Sequence, residues 1–175
     1  MTESEIFESV TGSGSTDFAT VVRILNRHSG WGLIGGLAVN CYVEPVYTLD
    51  ADIVVVSSDL PEIKDELQHA EFLLEEFPHS LNATMPGSDL RIQFTTDARY
   101  QEFLNSTTLH EVLGQKVPVA SLENVVRGKV WAWSDDSRRL SKRKKDELDL
   151  IRIAEKYPEV RVMMPQTIVQ QIEEN

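Results

Sequence analysis

Cysteine is almost missing from this sequence. Cys41 is the only one in 175 residues, so no internal disulfide can close and no cysteine cluster is offered to a metal. Histidine is sparse as well: His28, His69, His79 and His110 stand far apart without zinc-ligand spacing, which argues against a structural zinc site. No apolar run approaches the roughly 20 residues that span a bilayer. Met1-Thr2-Glu3-Ser4-Glu5 lacks the basic start and greasy stretch of a signal peptide, so a cytoplasmic protein without membrane contact is expected. Positive charge is the third scarcity, with 17 Lys and Arg against 28 Asp and Glu and a net charge of -11. A generally basic, nucleic-acid-binding surface is thereby excluded.

The positive charge that exists is concentrated. Arg138, Arg139, Lys142, Arg143, Lys144 and Lys145 put six of the 17 basic residues into one acid-free stretch, leaving about -17 on the rest of the chain. Such a stretch is either a solvated helix face or a local strip for a phosphate backbone. The 41% hydrophobic content suffices for one domain with a real core.

Residues 1–16 are polar, and Thr11-Gly12-Ser13-Gly14-Ser15 reads as a flexible lead-in. From Asp17, Phe18, Val21, Val22 and Leu25 keep helical spacing until Ser29-Gly30. Trp31-Gly32-Leu33-Ile34 reads as a strand, Gly35-Gly36 as a tight turn, and Leu37 to Val43 as a short helix stopped before Pro45. Ala51 to Val56 has the β-branched character of a central strand. A helix is expected over 60–70, strands over 71–77 and 90–95, a hairpin over 107–119 around Gly114-Gln115, and helices near 121–134, 140–156 and 166–173. The expectation is an α+β (α/β) fold: a mixed sheet flanked by helices, with a core over 17–119 and a C-terminal helical segment over 120–175 packed on it.

Asp50 and Asp52 stand two apart at the entry to the Val54-Val55-Val56 strand, so both side chains point to one side of the sheet, roughly 6 to 7 Å apart. Two like charges on one face repel unless a cation or hydrogen-bond donors offset them. Magnesium takes carboxylate oxygens at about 2.0 to 2.1 Å and fills its shell with water and phosphate, which suits such a pair facing a nucleoside triphosphate. Taken alone, an Asp-x-Asp triplet is commonly a pair of loop acids in water. Upstream, glycines at a strand-to-helix turn let backbone N–H groups approach phosphate oxygens, so an anion site and a cation site fall together. Farther on, Lys129 sits within the stripe Leu122, Val125, Val126, Val130 and Trp133, and Asp146 heads the stripe Leu150, Ile153 and Tyr157. Each has an ordinary explanation, a snorkelling lysine and a helix N-terminal acid; together with the acid pair they suggest a shared site.

Gly35-Gly36-Leu37-Ala38-Val39 followed by Thr48-Leu49-Asp50-Ala51-Asp52-Ile53 resembles the Gly-Gly turn and Thr-x-Asp-x-Asp strand of the polymerase-β-like nucleotidyltransferase superfamily. It looks most like the AbiEii-type branch of bacterial toxins and related nucleotidyltransferases. In that branch a later helix carries a lysine, matched by Lys129 in Glu123 to Ala132, and a further helix carries an acid, matched by Asp146 in Lys145-Asp146-Glu147-Leu148-Asp149-Leu150. The resemblance spans roughly residues 31 to 153. It implies a nucleotidyltransferase-like mixed sheet and a Mg2+-dependent transfer from an NTP. Gly35, Gly36 and Leu37 would cradle the triphosphate, Asp50 and Asp52 hold the metal, and Lys129 contact phosphate. Asp146 would orient Lys129 or accept the proton of the attacking hydroxyl. The acceptor would be an RNA end (tRNA) or a protein hydroxyl reached through Arg138 to Lys145, with an antitoxin as partner of a toxin-like enzyme. Two positions depart from the pattern. Gln93 stands where a third acid is expected, with Asp89 as its substitute, and Val46 stands where the branch has arginine. A catalytically degenerate relative that only binds nucleotide, RNA or protein is the alternative. An unrelated α/β domain would leave Gly36, Asp50, Lys129 and Asp146 far apart.

Overall fold

The computed structural model describes residues 2–174. A seven-stranded mixed sheet forms its centre, in the order β3-β4-β5-β2-β1-β7-β6. The strands are β1 (Trp31–Ile34), β2 (Asp50–Val55), β3 (Leu73–Phe77), β4 (Ser80–Thr84), β5 (Arg91–Thr95), β6 (Thr107–Val112) and β7 (Gln115–Ala120). The helices are α1 (Glu3–Thr11), α2 (Gly14–Leu25), α3 (Gly35–Val39), α4 (Leu60–His69), α5 (Leu122–Ser134), α6 (Leu140–Lys156) and α7 (Gln166–Glu173). No helix among the described residues is long and apolar enough to cross a membrane.

β2 organises the molecule. It pairs antiparallel with β1, Ile34 opposite Asp52, and parallel with β5, where Asp50 neighbours Arg91 and Asp52 neighbours Gln93. Because side chains alternate along a strand, Ala51, Ile53 and Val55 turn to one face and are buried completely or nearly so, while Asp50 and Asp52 turn to the other. The buried face joins Ile92 and Phe94 of β5, Leu81 and Ala83 of β4, Ile63 and Leu67 of α4 and Phe18, Val21 and Leu25 of α2 in one hydrophobic cluster. Val125, Val126, Leu150, Ile153 and Ile168 of the C-terminal helices belong to the same cluster. Each such side chain contributes about 1.5–3 kcal/mol on burial, so these helices are held by the core that holds the sheet.

The N-terminus is corrected by the structure. Residues 1–16 were expected to be a flexible lead-in, yet residues 3–11 form α1, opened by a capping box in which Thr2 and Glu5 exchange hydrogen bonds. Phe7 is buried, and the Thr11 hydroxyl donates to the Phe7 carbonyl at 2.6 Å while accepting the Gly14 N–H at 2.8 Å. The glycines and serines of 11–15 are a tight connection between two helices, with Gly12 at φ +83°. β4 had no counterpart in the sequence reading, nor had the 3-10 turns, of which the one over 98–105 lies against β2.

Candidate active site

The acids of β2 and the glycines of α3 meet because β1 and β2 are antiparallel neighbours. Gly35 follows β1 directly, beyond the Ile34–Asp52 pair, and has φ +70°, a left-handed conformation that favours glycine. Space requires glycine as well: a Cβ there would collide with the Asp52 carboxylate and come within 2.8 Å of its Cγ. The helix begins at Gly35 and ends at Val39, whereas a start at Leu37 and an end at Val43 were expected. With five residues its dipole is small, so any anion affinity here comes from the local N–H groups of the turn.

Gly35, Gly36, Asp50, Asp52, Lys129 and Asp146 line one cleft of about 240 Å³. Leu37 is buried in the core behind it. The four remote segments therefore converge in one cleft. The two acids differ sharply. Asp50 accepts from Arg91 Nε at 2.7 Å on Oδ1 and from Lys142 Nζ at 2.9 Å on Oδ2. Partial burial raises its proton affinity, but these two cations outweigh that and hold its pKa below the usual carboxylate range. Asp52 has no side-chain hydrogen bond or ion pair among the described residues. Desolvation in the cleft pushes its pKa up, reinforced by Asp50 and only partly offset by Lys129, Arg138 and Lys142.

Lys129 is buried on α5 and lies 2.8 Å from Asp146 and 2.7 Å from Asp149 on α6. Burial alone would lower its pKa, yet the two carboxylates win and raise it, fixing the ammonium in its charged form. The second oxygen of Asp146 receives Arg138 at about 3.1 Å, and Asp149 receives Arg152 at 2.8 Å. Both Asp146 oxygens are thus occupied, one by Lys129 and one by Arg138. Lys145 reaches Thr48 Oγ1 at 3.3 Å, the same oxygen that accepts the Asp50 N–H. Tyr100 and Phe103 of the 3-10 turn close the apolar side, against Gly128 of α5.

The basic stretch is split. Arg138, Lys142 and Lys145 line the cleft, whereas Arg143 donates to the Trp133 carbonyl and Lys144 pairs with Glu147. Gln93 also lines the cleft, in register beside Asp52, so an amide occupies the place of a third acid. Asp89 is exposed, is not among the cleft residues, and anchors backbone through its N–H to the Thr11 carbonyl; it does not substitute. Val46 is exposed and its backbone is held by Asn40. Arg91 and Asp149 were not singled out as site residues, and Lys142 and Lys145 were expected only as part of a strip for the acceptor. Only Asp149 carried a local signal, one helical turn after Asp146 on the same inward stripe.

An Asp pair beside a glycine turn stands on a mixed sheet, roofed by helices that bring cations. No protein-family model matches the chain, nor does any curated protein; the likeness lies in solved structures. The antibiotic-resistance factor ANT(2'')-Ia in solution has a TM-score of 0.62 at 14% identity, covering 91% of this chain and 95% of its own. The same factor in complex with adenylyl-2''-tobramycin has a TM-score of 0.59 at 13% identity, covering 91% and 97%. An antigenic nucleotidyltransferase-like protein from Paracoccidioides brasiliensis has a TM-score of 0.57 at 14% identity, covering 94% and 89%. This chain has their fold, a mixed sheet flanked by helices.

Proposed function

We propose that the chain transfers a nucleotide from an NTP to a hydroxyl acceptor with release of pyrophosphate. The observation that carries this reading is the convergence of Asp50, Asp52 and the Gly35 turn with Lys129, Arg138, Lys142 and Lys145 in one cleft. Four cations opposite a backbone turn fit a triphosphate. The acceptor oxygen forms its bond to the α-phosphorus as the bond to pyrophosphate breaks, and the cations hold the charge of the departing phosphates.

The residues fit a magnesium ion. Asp52 lacks a cation of its own, Asp50 adds a second carboxylate on the same face, and Gln93 can add a neutral amide oxygen. When bound, the ion would neutralise charge on the transferring phosphoryl group. Among the described residues no three His, Cys, Asp or Glu side chains gather as a metal cage, so the remaining ligands would come from substrate and water. Asp146 and Asp149 hold Lys129 and, with Arg138, orient it toward phosphate.

The motifs resemble those of the AbiEii-type branch, a reading that adds a toxin role, a cytoplasmic setting and an antitoxin partner. That reading gives an RNA end or a protein hydroxyl as acceptor, and the tobramycin adduct of ANT(2'')-Ia suggests a small-molecule hydroxyl. Charge favours an acceptor that is not a polyanion. Three of the six basic residues over 138–145 are committed to the cleft, and the chain as a whole carries -11, which repels a phosphate backbone. A second reading, nucleotide binding without transfer, is favoured by the amide of Gln93 in the third-acid position. Incubation with each α-labelled NTP and separate pools of small metabolites, protein and RNA decides between them. Label is expected in the small-molecule or protein pool with Mg2+ present, and its absence from all three pools, with binding retained, supports the binding module.

A further inference from the structure

Asp50 is not ready to receive a metal ion. Each of its oxygens already holds a cation, Arg91 at 2.7 Å and Lys142 at 2.9 Å. The two are held differently. Arg91 is the in-register neighbour of Asp50 on β5, so its guanidinium starts beside the carboxylate. Lys142 comes from the first turn of α6, 92 residues away, on a flexible four-carbon stem. An ion placed between Asp50 and Asp52 would meet the cations already on Asp50, and like charges there repel; of the two, Lys142 is not tied to Asp50 by strand register. Lys142 is therefore the group that must leave. The same cleft gives it a destination, since a triphosphate drawn in by Lys129, Arg138 and Lys145 brings anionic oxygens within its reach.

We infer that Lys142 is an exchangeable counter-ion and positioning residue: it occupies Asp50 in the free protein, swings to a nucleotide phosphate, and so couples metal entry to nucleotide entry. The nucleotide half of this exchange rests on the nucleotidyltransferase reading; the metal half does not. The free protein is then a poor binder of divalent metal, and metal and nucleotide each tighten the other by the same factor.

The test uses the full chain with Mn2+ as the probe, free ion being read by electron paramagnetic resonance without nucleotide. Lys142→Met is expected to bind Mn2+ about tenfold more tightly than the wild type, because a like charge next to the site is gone. Lys142→Arg keeps the charge and is expected to match the wild type. Adding Asp52→Asn to Lys142→Met should abolish the gain, which assigns it to this site. With ATP present, the metal–nucleotide coupling should fall by about the same tenfold in Lys142→Met. Equal or weaker Mn2+ binding by Lys142→Met, or a gain that survives Asp52→Asn, overturns the inference even if nucleotide transfer is then demonstrated. A gain in Mn2+ affinity in a protein that binds no nucleotide keeps the counter-ion role of Lys142 and removes the nucleotidyltransferase reading instead. Unchanged thermal unfolding of the Lys142 variants serves as the folding control.

Discussion

Asp52→Asn is expected to stabilise the fold while disabling the site. The Asp52 side chain sits in the cleft, without a hydrogen bond or ion pair among the described residues, beside a second carboxylate. Burial and Asp50 raise its pKa, and Lys129, Arg138 and Lys142 compensate only in part. The native state then holds the Asp52 proton more tightly than the unfolded chain does. Stability is lost as pH rises from the unfolded value of about 3.9 through the higher folded value. An amide removes that loss, and a neutral group of the same shape should gain about 1–2 kcal/mol at neutral pH, about 2–8 °C in Tm for a chain of this size. Thermal unfolding of both proteins by circular dichroism, in chelator and across the pH range, reads this directly. The gain should grow as pH rises above the ordinary aspartate range and should vanish below it. An equal or lower Tm for the variant at pH 7.5, or a gain that does not depend on pH, refutes the reasoning that Asp52 is an uncompensated carboxylate.

Other substitutions test other parts of the account. Gly35→Ala forces a Cβ into the Asp52 carboxylate at a left-handed φ of +70°; urea unfolding should show a loss of about 2–3 kcal/mol, and nucleotide binding should fail. Lys129→Met strips the shared cation from Asp146 and Asp149, and because buried acids are left behind it should cost about 3–5 kcal/mol in the same measurement. Phe7→Ala should cost about 2–4 kcal/mol, since Phe7 is buried in the common core; no cost would mean that α1 is not docked.

Much of the frame was legible in the sequence because its signals are local. The run from Ala51 to Val55 and the stripe of Leu150 and Ile153 announce strand and helix by periodicity alone, and Gly35-Gly36 marks a turn wherever it stands. β4 was missed since only Leu81 and Ala83 carry its alternation, between polar neighbours. α1 was hidden by its polarity, although Thr2 and Glu5 already spelled a capping box. Within the site, Asp50, Asp52, Lys129 and Asp146 were visible as charges in unlikely places: two on a strand, one amid an apolar stripe and one at the head of another. Arg91 and Lys142 were not, because what makes them site residues is the β2–β5 register and the docking of α6 over β2. Neither can be read from spacing along the chain. The same holds for Tyr100 and Phe103, whose cleft position follows from packing the 3-10 turn on β2.

A divalent ion gripped by Asp50 and Asp52 opposite the Gly35 turn would hold a triphosphate between ion and turn. Calorimetric titration of ATP, CTP, GTP and UTP, with and without Mg2+, into the wild type and the Asp50→Ala and Asp52→Ala variants addresses it most directly. The account predicts Mg2+-dependent binding of at least one nucleotide to the wild type and none to either variant. Nucleotide binding that needs no metal and survives both substitutions would contradict it.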